Sequence, residues 1–269
     1  MTTTLTQTAT AAALPPFSGL QRFGLLMRTN ARLFVRNRTA LFWNIAFPIA
    51  LMLLFGSMYG SQPGAVAYLT TGMVVLSLMS NGITGNAATL ATWRERGILR
   101  RIQTTPLPVW QLLLARIVTH SVIMVAQAGL LIGTSVLVFG VSYEWGNVIL
   151  SIPVLILGAL LFMTIGQMMA ALVQKAETVT VVTQVVYFPL MFLGNIVITS
   201  NNMPSFLQTI GKWLPSTMVA DLVRTVMLGL NSDTAGAPLV VQPLAIDLAG
   251  SALYFVVALV ISVRFFKWR

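Results

Sequence analysis

The chain has 269 residues, of which 57% are hydrophobic and only 8% charged. A soluble domain carries roughly 25% charged residues, so an ordinary water-soluble enzyme is excluded. The 16 Lys+Arg against 6 Asp+Glu leave a net charge of +10, which signals nucleic acid in a soluble protein and cytoplasmic loops in a membrane protein.

Residues 1–19 are rich in Thr and Ala and lack the positive start of a secretory signal; they read as a disordered cytoplasmic tail. A single domain is expected over residues 20–269. It opens on Leu20–Arg38, where Phe23, Leu26, Met27, Leu33 and Phe34 share one side of a helical wheel. Arg28, Arg32 and Arg36 recur every four residues on another side. Such an arginine-faced amphipathic helix lies in a membrane interface rather than crossing it. The plainer alternative is a positively charged topology anchor.

About 20 apolar residues are needed to cross the hydrocarbon as a helix. Six runs are long enough, at about 41–60, 66–91, 112–140, 146–173, 179–199 and 244–265. The class is therefore an all-α integral membrane protein with six transmembrane helices. Arg116 falls in the first turns of the third span, where its stem can reach the interface. Gly56 and Gly60 form a G-x-x-x-G, a weak sign of helix contact.

Two connections stand out. In Thr92–Trp110, Arg96 and Arg100 lie one helical turn apart, Ile98, Leu99 and Ile102 make an apolar patch, and Pro106 and Pro108 stop the helix. Positions three and four away from Glu95 are not basic, so it has no helical ion-pair partner. Free charges beside an apolar patch suit docking of another protein; a solvated basic loop is the alternative. In Thr199–Gln242, Val219, Leu222, Val223, Val226, Met227 and Leu230 recur at helical spacing, preceded by Pro215-Ser216 and with Gly229 near the end. This helix is too short to span and too apolar for a free loop, so it reads as re-entrant or interfacial. Asp221 and Arg224 sit three residues apart on its polar side, to pair with each other or to meet substrate.

Fourteen of the 16 basic residues fall on one side of this topology, leaving only Lys212 and Arg224 opposite. The positive-inside rule puts both termini in the cytoplasm, and the charge excess needs no nucleic acid.

Much chemistry is missing. There is no cysteine, and His120 is the single histidine, which disfavours thiol or histidine catalysis and multi-ligand metal sites. The only Gly-Lys pair, Gly211-Lys212, is followed by Trp213 and has Phe206 where a P-loop needs glycine. The chain is expected to bind no ATP by that motif and to be no enzyme itself. Polar residues inside the spans remain as leads. Asn81 and Thr84 in span two, and Thr183, Gln184, Tyr187, Phe188 and Phe192 in span five, either glue helices or line a cavity for an amphipathic molecule.

Taken together, the pattern resembles the permease subunits of ATP-binding-cassette exporters of the second export type, over about residues 20–266. The most specific piece, "WRERGILRRIQTTPLPVWQLLLAR", resembles the family's E-R-x-x-G-x-L loop ending in T-P. The run "FPLMFLGNIVITSNNMPSFLQTIGKWLPSTMVADLVRTVMLG" is similar to the family's passage from span five to re-entrant outer helices, departing at Gly194-Asn195 where relatives often have Ser-Gly. Daunorubicin-type antibiotic exporters are nearest in pattern, and polysaccharide and teichoic-acid exporters more distant. The resemblance implies two cytosolic ATPase subunits carrying the ATP and magnesium, and a second permease chain. It implies ATPase coupling at Arg94, Glu95, Arg96, Gly97, Ile98 and Leu99, with Arg28 and Arg32 alongside, and no cofactor in this chain. The function it implies is export of a hydrophobic or amphipathic small molecule. The alternatives are export of a lipid or lipid-linked glycan, and a non-transporting membrane anchor for an ATPase.

Overall fold

The computed structural model describes residues 19–59, 64–98, 109–200, 203–229 and 242–265. Among them every regular element is helical, as a chain that must satisfy its backbone in hydrocarbon requires. Helix α1 (Gly19–Arg36) presents Phe23, Leu26, Met27, Asn30 and Phe34 as its half-buried side, while Arg28, Arg32 and Arg36 are exposed. The expected tail lies outside the described residues except for Gly19.

Five helices are long and apolar enough to cross a membrane: Ala65–Glu95, Ala115–Phe139, Trp145–Leu172, Ala176–Leu193 and Leu244–Phe265. At the expected first span, the apolar stretch found among the described residues is Asn44–Met58. It belongs to a continuous helical run made of α2 (Arg38–Leu41), a π-helical turn (Phe42–Ala46) and α3 (Phe47–Tyr59). Gly56 does mark a contact, since a Cβ there would meet the ring of Phe139; Gly60 lies outside the described residues.

One crossing is central. It comprises α4 (Ala65–Met79), a second π-helical turn (Ser80–Gly85) and α5 (Asn86–Glu95). Every residue from Tyr68 to Met79 is buried, the mark of a helix surrounded on all sides. Around it pack α3, α6 (Val109–Phe139), α7 (Trp145–Leu172), α8 (Ala176–Leu193) and the short α10 (Pro215–Leu228). Helix α11 (Leu244–Phe265) lies against α7 and α10, and α1 runs along α6. Between α8 and α10 comes α9 (Ser205–Gly211).

Small residues and polar pairs set the close contacts, as expected where lipid offers no hydrophobic drive between helices. A Cβ on Gly166 of α7 would run into the backbone oxygens of Gly82 and Ile83 in the π-helical turn. Asn81 in that turn donates to Gln127 of α6 at 2.8 Å and to the Ser77 carbonyl at 3.1 Å.

Helix α10 begins with proline at its first position and ends at Gly229, whose φ of 65° places it in the left-handed region. Its fourteen residues reach about 21 Å, too short to cross. Pro215 to Arg224 are all buried. Arg224 is fully sealed, and its guanidinium lies 4.0 Å from the centre of the Tyr68 ring. It donates to the Asn195 carbonyl at 2.7 Å and to the Thr71 hydroxyl at 3.3 Å, with Asp221 at 3.6 Å. Tyr68 donates to Asn195, whose side-chain amide in turn reaches Asp221 at 3.4 Å. Asn195 holds a φ of 53°, which asparagine tolerates better than most side chains. Gly194 beside it has no room for a Cβ against Ser216. One charge thus ties α4, the chain after α8, and α10.

Four substitutions test this packing. Gly166→Leu is expected to cost about 1–3 kcal/mol through overpacking, whereas Gly129→Leu on α6, with nothing within 4 Å of its Cβ position, should be close to neutral. Arg224→Ala should cost about 3–5 kcal/mol by leaving Asp221 buried without its cation. Arg224→Lys should restore little, because an ammonium lacks the planar fork. Thermal unfolding of the full chain in nanodiscs reads all four.

Candidate functional site

The last turn of α5 carries Trp93, Arg94 and Glu95. The helix was expected to continue through Arg96 and Arg100; a turn interrupts it at Arg96–Gly97, Ile98 is helical again, and Arg100 lies outside the described residues. Gly97 adopts a φ of 66° and its N–H bonds the Arg94 carbonyl at 3.0 Å, the left-handed termination that glycine makes cheaply. Arg96 is exposed, and Gly97 and Ile98 are half-buried. Leu99 and the rest of the expected apolar patch, through the two prolines, lie outside the described residues.

Arg94 and Glu95 face the junction between α7 and α8. The Arg94 guanidinium donates to the carbonyls of Ala170 at 2.8 Å, Val173 at 2.6 Å and Gln174 at 2.5 Å, all at the C-terminal end of α7. The Glu95 carboxylate accepts the N–H of Ala176, the first residue of α8, at 2.6 Å. A helix carries partial negative charge at its C-terminus and partial positive charge at its N-terminus. Neighbouring side chains of opposite sign therefore meet helix ends of opposite polarity, and satisfy backbone groups with no partner in their own helix. Glu95, expected to be free, is a capping residue. Its partner is a backbone N–H far along the chain, which no count of nearby basic residues reveals.

The remaining expected site residues separate into two environments. Asn81, Thr84, Thr183 and Tyr187 are buried or half-buried, and α8 packs against the π-helical turn that holds the first two. Thr84 and Thr183 spend their hydroxyls on carbonyls of their own helices. Gln184, Phe188 and Phe192 follow one another at four-residue intervals on an exposed face of α8, with Phe188 51% and Phe192 44% exposed. Phe188 meets the Tyr187 ring edge to face at 6.1 Å. Arg28 and Arg32 are exposed on α1. Asp221 and Arg224 form the buried pair already described. Sequence reasoning missed Gln127, and it named Asn195 without its partners, which come from other helices.

Arg116, whose stem was expected to extend to the interface, is instead packed inside the bundle. It is 2% exposed, and its guanidinium stacks on Trp93 at 4.6 Å. No group of three or more His, Cys, Asp or Glu able to hold a metal occurs among the described residues.

Residues 21–228 match the model of the ABC-2 type transporter family. The chain is 28% identical over 189 residues to YvfS of Bacillus subtilis (strain 168), which carries the name of a transport permease; the match covers 68% of this chain and 76% of that protein. It is also similar to Nodulation protein J of Bradyrhizobium diazoefficiens, at 26% identity with 86% of each chain covered. The same protein of Neorhizobium galegae is 26% identical with 96% of each covered. With five helices able to cross a bilayer and a family match over most of its length, the chain belongs to the ABC-2 type transporters, as a membrane permease of a complex whose ATP-binding subunit is a separate partner.

Proposed function

We propose that this chain is the permease of an exporter that moves a hydrophobic or amphipathic small molecule, an antibiotic or drug, out of the cell. Two cytosolic ATPase subunits supply ATP and magnesium, and two permease chains face each other. Six crossings are counted on this reading: Asn44–Met58, extended by its neighbouring turns, makes the first, and α9 and α10 enter and leave from the outer side. Both termini are cytoplasmic, and α1 lies in the interface with Arg28 and Arg32 toward the headgroups. The asymmetry of basic residues supports that orientation. The resemblance to daunorubicin-type exporters supports the cargo class.

The observation that carries the reading is the pair of contacts made by Arg94 and Glu95. A push from an ATPase on the segment from Arg94 to Leu99 reaches the ends of α7 and α8 directly. Exposed Gln184, Phe188 and Phe192 on α8 would then line a cavity against the second chain, backed by Asn81, Thr84, Thr183 and Tyr187. An exposed glutamine is costly against acyl chains and at ease beside a polar cavity. The Asp221–Arg224 pair is a structural lock on this reading, since both are fully buried.

Reconstitution of the permease with its ATPase in vesicles tests this. Glu95→Ala should insert normally and hydrolyse ATP, yet lower export per ATP by about fivefold or more, within the usual span of coupling energies. Glu95→Gln, which keeps an acceptor oxygen for Ala176, should fall between. Normal export and ATPase rate in Glu95→Ala would remove the coupling role. Binding of the ATPase without vectorial movement in the unmodified protein would identify an anchor instead.

A further inference from the structure

Arg116 is the second buried arginine of the bundle, and it differs from Arg224 in having no hydrogen-bond partner. All three of its guanidinium nitrogens are buried without an acceptor. Among the described residues the ion pair formed is that of Arg224 with Asp221, so no carboxylate neutralises Arg116. Its guanidinium lies over the face of Trp93, a cation–π interaction that leaves every N–H unused. His120 lies one turn further along α6.

An ionised group sealed in an apolar bundle is costly and is retained for a partner. A guanidinium fork fits oxyanions, above all phosphate and carboxylate. Depth selects between these. Trp93 is two residues from the end of α5, next to the Arg94 that holds the end of α7. On the topology proposed above this is the cytoplasmic end, where helices meet the membrane surface and tryptophan concentrates. The oxyanion abundant at that level in a bilayer is phosphate, and basic pockets between helices hold such headgroups. His120, one turn from Arg116 on the same face of α6, is only half-buried, so the surface of the bundle comes within a turn of the guanidinium.

We propose that Arg116, stacked on Trp93, is a binding site for a phosphate group carried by a lipid or by a lipid-like molecule at the end of the bundle that bears Arg94. The phosphate takes the unused N–H donors and neutralises the charge, and Trp93 packs beside it. The site needs no ATPase, so it stands or falls apart from the transport reading.

Native mass spectrometry of the full chain, after exchange into nanodiscs of phosphatidylcholine with increasing phosphatidylglycerol, is the test. The unmodified chain should retain phosphatidylglycerol saturably, and Arg116→Gln should retain it about ten- to a hundredfold less tightly. Arg36→Gln, which removes an exposed charge of α1, should change nothing. If Arg116→Gln does not fold, Arg116→Lys, which keeps the charge without the fork, should still weaken retention about tenfold. Mass analysis of what co-purifies from cells separates the sources: a membrane phospholipid, or another phosphate-bearing compound that marks the site as a cargo contact. Equal retention in a folded Arg116 variant, no retained anion in the unmodified chain, or an equal loss in Arg36→Gln would each overturn the proposal.

Discussion

The fold depends on placing one guanidinium where no water reaches it. Arg224 is fully buried, and a lone charge there would cost many kcal/mol. Three separate stretches of chain must converge to prevent that. The central helix brings Tyr68 and Thr71, the turn after α8 brings the Asn195 carbonyl, and α10 brings both Arg224 and Asp221. Several local features follow from this convergence. A Cβ at Gly72 would strike the Ile196 carbonyl, so a small residue stands where the turn crosses the helix. Asn195 holds a left-handed φ so that its carbonyl can face Arg224 and its side chain Tyr68. Asparagine thus serves the turn twice, by tolerating that backbone region and by adding a hydrogen-bonding side chain.

The opposite end of the same central helix is fixed by a second electrostatic device of another kind. There the charges meet helix termini rather than each other, with Arg94 on the carbonyls of α7 and Glu95 on the first N–H of α8. Between the two ends, the π-helical turn packs Gly82 against Gly166 and ties Asn81 to Gln127. The central helix is 31 residues long, about 46 Å, which exceeds a hydrocarbon layer of roughly 30 Å. A helix held at both ends and in the middle carries displacement along its length with little local yielding.

The sequence was most legible where one physical quantity decides the outcome. The length of apolar runs placed five crossings within a few residues of their positions in the structure. The first expected span falls on the continuous helical run Arg38–Tyr59, in which hydropathy does not register the π-helical turn at Phe42–Ala46. The interruption at Gly97 was open to view as a glycine near a helix end, yet the spacing of Arg96 and Arg100 suggested continuation. Asp221 and Arg224 could be paired from their spacing alone, while Tyr68, Thr71 and Asn195 could not, since those partners come from other helices. Gln184, Phe188 and Phe192 were named for their residue types, but the direction of the face they share on α8 depends on which helices pack against the other side.

The comparison between the two buried arginines shows what separates a structural charge from a binding one. Both guanidiniums stack on an aromatic ring, Arg224 at 4.0 Å from the centre of Tyr68 and Arg116 at 4.6 Å from that of Trp93. Stacking compensates a buried cation only partly, by a kcal/mol or two. Arg224 makes up the difference with Asp221, Asn195 and Thr71, and its position deep among α4, α7 and α10 leaves nothing for a ligand to reach. Arg116 has the ring and no acceptor, at the end of the bundle and one turn from half-buried His120. An arginine kept only for packing would be replaced at little cost by an apolar side chain of similar volume. The unused N–H groups are what methionine or leucine would lack, and an oxyanion is what those groups recognise.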